Sequence, residues 1–144
     1  MDEVRAMLLP AAVLVLWSLV MLGWMALTRL PAMTKAGLPV GKVPPGGRGQ
    51  NLEGVLPDRV NWKAHNYVHL MEQPTLFYAA VLIIVAAGLT SELTIMLAWG
   101  YAVLRIAHSL WQALVNVVAV RFVLFALSSA CLIGLAVIAV AGLV

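Results

Sequence analysis

The run DRVNWKAHNYVHLMEQPTLFY, Asp58 to Tyr78, sets Arg59, Lys63, His65, Asn66, His69, Glu72 and Gln73 on about four turns of helix before the apolar run AAVLIIVAAGL continues it. His65, His69 and Glu72 are spaced i, i+4, i+7 and share a helix face. That spacing admits a metal site, a hydrogen-bonded network between helices, or a site for a polar ligand. A metal is disfavoured: two histidines need further ligands, the chain adds only His108 and Cys131, and it has no HExxH pattern. The basic residues Arg59, Lys63, Arg105 and Arg121 outnumber the nearby acids Glu53, Asp58 and Glu72. Surplus guanidinium groups in a pocket suit carboxylates or phosphates, which they bind in bidentate fashion.

The elements that must hold these residues are membrane spans. Of the 144 residues 63% are hydrophobic and 10% charged, outside the soluble globular range. A span needs roughly 20 apolar residues, so the chain makes an all-α integral membrane four-helix bundle, with helices at about 6–27, 57–89, 92–114 and 121–143 and no soluble domain. The first apolar run is too long, and its head MDEVR too acidic, for a secretory signal. Trp17 and Trp24, seven apart, read as packing or lipid contact. The single Cys131 forms no disulfide within the chain.

The net charge of +3 sits in the connections and reports orientation, not nucleic-acid binding. Arg29, Lys35, Lys42 and Arg48 fall in the Gly- and Pro-rich loop of about 28–57, with Arg59 and Lys63 just beyond, so the loop is expected to be cytoplasmic and both termini on the opposite side. Pro57 and Asp58 suit the start of the second helix, whose Pro74 predicts a kink next to Glu72. In the third helix Tyr101, Arg105 and His108 lie on one stripe, with Trp111 and Gln112 following. Arg121 opens the fourth, where it snorkels, meets a headgroup or points into a site. These polar stripes exceed what one four-helix monomer is expected to satisfy, and Glu72 is expected to be buried against a cation. Both point to a subunit interface.

The four-span plan, the long first loop, the polar second helix, the third-helix string YAVLRIAHSLW and the later Arg121 resemble the MAPEG family, the membrane-associated proteins of eicosanoid and glutathione metabolism. The third-helix Arg-x-x-His and the following Arg are similar to those of its microsomal glutathione transferases. The family's Arg-Ala-x-x-Asn-x-x-Glu pattern is matched imperfectly, with His65 in place of the Arg, His69 in place of the Asn and Glu72 on the Glu. The resemblance implies a homotrimer with sites between subunits that face the cytoplasm and take glutathione as co-substrate. Arg105, Glu72 and His69 would hold its carboxylates and amine, supported by His65, Tyr101, His108 and Asn66. Arg121 would act at the sulfur as the catalytic residue, since an adjacent guanidinium favours the nucleophilic thiolate.

The function implied is glutathione-dependent transfer to, or hydroperoxide reduction of, a hydrophobic small molecule arriving from membrane lipid. The alternative is a non-catalytic lipid-binding or scaffold member of the family. A transporter subunit fits less well, because the chain lacks paired broken helices in inverted repeats. Lys42→Cys and Ser91→Cys in a Cys131→Ala background are expected to label from opposite sides of sealed vesicles. Labelling from the same side would contradict the four-span reading.

Overall fold

In the computed structural model, which describes residues 3–144, the apolar runs form α1 (Glu3–Lys35), α2 (Asp58–Met71), α3 (Gln73–Ala86), α4 (Glu92–Leu114) and α5 (Val118–Ala141), with no strand among the described residues. α2 and α3 follow end to end as a single span, giving four segments long and apolar enough to cross a membrane. The outward faces carry Leu16, Leu27, Leu82, Met96, Phe122 and Val137, all exposed, as a multi-pass membrane protein requires where lipid replaces water.

Three boundaries depart from the sequence expectations. α1 does not end near Leu27 with its apolar run but continues to Lys35, because a helix needs only its own hydrogen bonds to extend past the lipid. The stop comes at Gly37, whose φ of +76° lets its N–H reach Thr34 O (3.1 Å) while Leu38 N reaches Met33 O (3.0 Å). Arg29 is therefore a helix residue. α5 begins at Val118, which puts Arg121 in its first turn.

The expected kink at Glu72 is a complete break, with Glu72 at φ −86° and ψ −98°. Pro74, in the first turn of α3, has no N–H and its ring excludes the carbonyl one turn below. Thr75 recloses the chain on Glu72 O through its N–H (3.2 Å) and hydroxyl (2.7 Å). In a continuous helix the Gln73 N–H would hold the carbonyl of His69; at the break that carbonyl turns to a side chain of α4.

The core lies between the helices. Met7, Leu14 and Met21 of α1, Phe77, Val81 and Ile84 of α3, Tyr101 of α4 and Leu135 of α5 are all fully buried. α4 and α5 approach closely at small residues: a Cβ on Gly100 would lie 3.2 Å from Cys131 Sγ, and one on Gly134 would lie 3.1 Å from Leu97 Cδ1.

Much of the polar stripe of α4 is buried inside the single chain. Ser109 accepts from Trp17 Nε1 (3.0 Å) and from Asn66 Nδ2 (2.8 Å), tying α1, α2 and α4 together at one oxygen. Tyr101 stacks on Phe77 with centroids 4.3 Å apart and donates to Gln73 Oε1 (3.3 Å), and Gln73 Nε2 donates to Ser129 (2.9 Å) on α5. Ser109→Ala strands two donors in the interior, at about 1–3 kcal/mol for each unsatisfied group. Its thermal unfolding in detergent is expected well below that of wild type; an unchanged midpoint would mean the three helices are held elsewhere.

Candidate functional site

The break at Glu72 and the stripe of α4 meet at Arg105. Its side chain is 1% exposed, and it donates from Nη2 to the freed His69 carbonyl and from Nη1 to His69 Nε2, both at 3.3 Å. Its guanidinium lies between the rings of Tyr101 and Phe125, 5.8 and 5.7 Å from their centroids. Nε is buried without a partner.

A guanidinium only donates, so the contact fixes the imidazole: Nε2 of His69 accepts, and Nδ1 carries the proton and gives it to Glu72 Oε2 at 2.9 Å. Glu72, His69 and Arg105 thus form a relay whose geometry Pro74 sets. The ring of His108, itself buried, packs 4.9 Å from that of His69. Glu72 is not buried, as had been expected, but 60% exposed in the single chain, because the break swings it out of the helix stack.

Next to the relay lies a cavity of about 710 Å³ between the loop, α1, α2 and α4, lined among others by Arg29, Arg48, His65, His69, Glu72 and Gln112. Its carboxylates are engaged by histidines, Glu53 with His65 and Glu72 with His69. Arg29, Arg48 and Arg105 have no carboxylate at ion-pair distance among the described residues. Gln112 is 3% exposed and lines the cavity with its Oε1 buried and unpartnered. Cations without counterions, two acids and an unsatisfied amide form a mixed-charge chamber.

Of the residues singled out from sequence, His65, His69 and Glu72 line this chamber, and Arg105 and His108 stand behind His69. Asn66 and Tyr101 do not line it: Asn66 is fully buried and donates to Ser109, and Tyr101 stacks on Phe77 and donates to Gln73, so both brace the helices. Lys63 faces away, donating to Arg59 O (2.6 Å) over the Trp24 ring. Arg121 lies outside the chamber lining, half-buried, with Nη1 2.8 Å from Asn116 Oδ1. Asn116 follows the end of α4 at φ 60°, and its side-chain oxygen accepts from Arg121. The described residues hold no cluster of three or more metal-ligating side chains.

Sequence reasoning missed Arg29, Arg48, Gln50 and Gln112. Gln112 was within reach, one turn beyond His108 on the same stripe. The two arginines were not, since only folding brings Arg29 Nη2 to within 2.6 Å of Gly49 O, twenty residues on.

No curated protein and no solved structure matches the chain. A model of the MAPEG family matches residues 7–141, nearly its whole length, spanning all four membrane helices and the chamber between them. The chain belongs to the MAPEG family.

Proposed function

We propose that the chain binds glutathione in the mixed-charge chamber and either couples its thiolate to a hydrophobic electrophile, as a glutathione transferase, or reduces a lipid hydroperoxide to the alcohol and water while two glutathiones are oxidised to their disulfide, as a peroxidase. One observation carries this reading: Arg105 is a buried guanidinium in a membrane bundle, held by a neutral imidazole and a carbonyl but by no carboxylate. A buried cation left in that state is costly, and an anionic ligand supplies the missing charge. Arg29, Arg48 and Gln112 add further donors, and Glu72 offers an acceptor for the ligand's ammonium group. Cytoplasmic orientation of the loop and assembly as a homotrimer belong to the same proposal, and family membership supports them.

Within it, Arg105 anchors a carboxylate and Arg121, held by Asn116, stabilises the thiolate. A positive charge beside the sulfur favours its ionised, nucleophilic form, which attacks the electrophilic carbon of the acceptor and expels the leaving group. The second reading, a lipid-binding scaffold without catalysis, is favoured by the positions of Arg105 and Arg121, both outside the chamber lining and Arg105 behind His69. The two separate in the kinetics of conjugation to chlorodinitrobenzene. Arg105→Ala is expected to raise the KM for glutathione about tenfold or more, with a smaller change in kcat, because an anchor serves ground and transition states alike. Arg121→Ala is expected to lower kcat and weaken the ultraviolet thiolate absorbance of the bound ligand. Glutathione binding without turnover in wild type would establish the scaffold, and no binding would exclude both roles for this chamber.

A further inference from the structure

A second cavity, of about 690 Å³, lies inside the loop itself, and the chemistry above makes no use of it. Its origin is local. After the Gly37 stop, Leu38 folds back onto the end of α1, where Met33, Leu52 and Leu56 make a small core separate from the membrane bundle. Gly46, at φ +81°, closes the Pro44–Gly47 turn, with Gly47 N 3.0 Å from Pro44 O. The connection carries only two short 3-10 turns, Val40–Lys42 and Gly49–Leu52, and long connections of this kind are often functional.

The lining of the cavity is mixed in character. Leu38, Val40, Val43, Pro44 and Pro45 make an apolar wall, and Val40 is 63% exposed although it could have packed inward. The lining also includes two cations, Arg29 and Arg48. Arg29 is pinned by Nη2 to Gly49 O, while its Nε is buried with no partner. A Cβ on Gly49 would sit 3.2 Å from Arg29 Nη1, so the loop backbone leaves room for the guanidinium there. Arg29, Arg48 and Gly49 also line the chamber beside His69, so the two cavities share this cationic wall.

We propose that the loop cavity is a binding site for a single-chain amphiphile with a carboxylate head, its tail against Leu38, Val40 and Val43 and its head on Arg29 and Arg48. The volume suits a ligand of that size, an apolar wall with a few convergent donors is the usual make-up of such a site, and paired guanidinium groups match a carboxylate. The site lies in the loop, away from the lipid-facing grooves between helices, and it does not depend on glutathione binding. Because the cationic wall is shared, its occupant sits next to the chamber.

The test uses the full chain in phosphatidylcholine nanodiscs, without thiol. Diazirine-bearing palmitate is photolysed and the cross-links are mapped by mass spectrometry. Saturable labelling within residues 38–52 is expected, competed by palmitate but not by hexadecanol. Arg48→Gln, at an exposed residue, is expected to reduce that labelling about tenfold, the effect of losing a charge-assisted hydrogen bond. Val40→Trp, which fills the cavity from its exposed side, is expected to abolish it while leaving thermal unfolding unchanged. Labelling confined to lipid-facing helix positions, equal competition by hexadecanol, or full labelling in both variants would overturn the proposal. So would displacement by phosphatidylglycerol nanodiscs at unchanged palmitate, which would assign the arginines to phospholipid headgroups.

Discussion

The contact between Arg105 and His69 is the constraint on which the rest of the site depends. A cation in the middle of an apolar bundle must find donors' complements or destabilise the fold, and the fold supplies two at one residue: the carbonyl and the ring nitrogen of His69. The carbonyl is available only because Pro74 interrupts the helix one turn later. The ring nitrogen is available because Glu72, displaced by the same interruption, accepts the hydrogen bond of Nδ1–H on the opposite side of the ring. A single proline thus sets the backbone acceptor, the imidazole tautomer and the position of the acid.

Around that contact the polar residues divide into those that hold helices and those left with unspent capacity. Ser109, Asn66, Tyr101, Gln73 and Ser129 bond to one another across the bundle and place α4 at a fixed height against α2, α3 and α5, although Asn66 Oδ1 keeps no partner. Arg29, Arg105, Arg121 and Gln112 each keep a buried polar atom without a partner. In a native interior such atoms are few, and Asn61, Asn66, Tyr78 and Thr90 carry others elsewhere in the bundle. The loop adds the remaining donors, since α1 runs past the apolar region far enough to carry Arg29 under Gly49.

Much of this was legible in the sequence. Four apolar runs of spanning length gave the helical membrane architecture, and the i, i+4, i+7 spacing of His65, His69 and Glu72 marked the right face of the second span. The stripe of Arg105 and His108 followed from the same periodicity. Periodicity assigns residues to faces but not to partners, so the bonds by which Asn66 and Tyr101 brace the core were not legible in it. Hydropathy likewise ended the first helix where lipid contact ends, although its hydrogen bonds carry on to Gly37. The kink at Pro74 was foreseen, but its consequence, a carbonyl handed to a side chain of α4, depends on a contact between residues thirty-six apart in the chain.

The central claim is that Arg105 stands ready for an anion that the protein does not itself provide. Thermal unfolding of wild type and Arg105→Met in detergent, each with and without glutathione, tests it most directly. Replacing the unpaired charge by an apolar side chain of similar length removes its bonds to His69 along with its burial cost, so the two proteins are expected to unfold within about 1 kcal/mol of each other without ligand. Glutathione at a hundredfold excess over its Kd is expected to stabilise wild type by about 2.7 kcal/mol and the variant far less. An equal shift in both proteins, or no shift in wild type, would contradict the account.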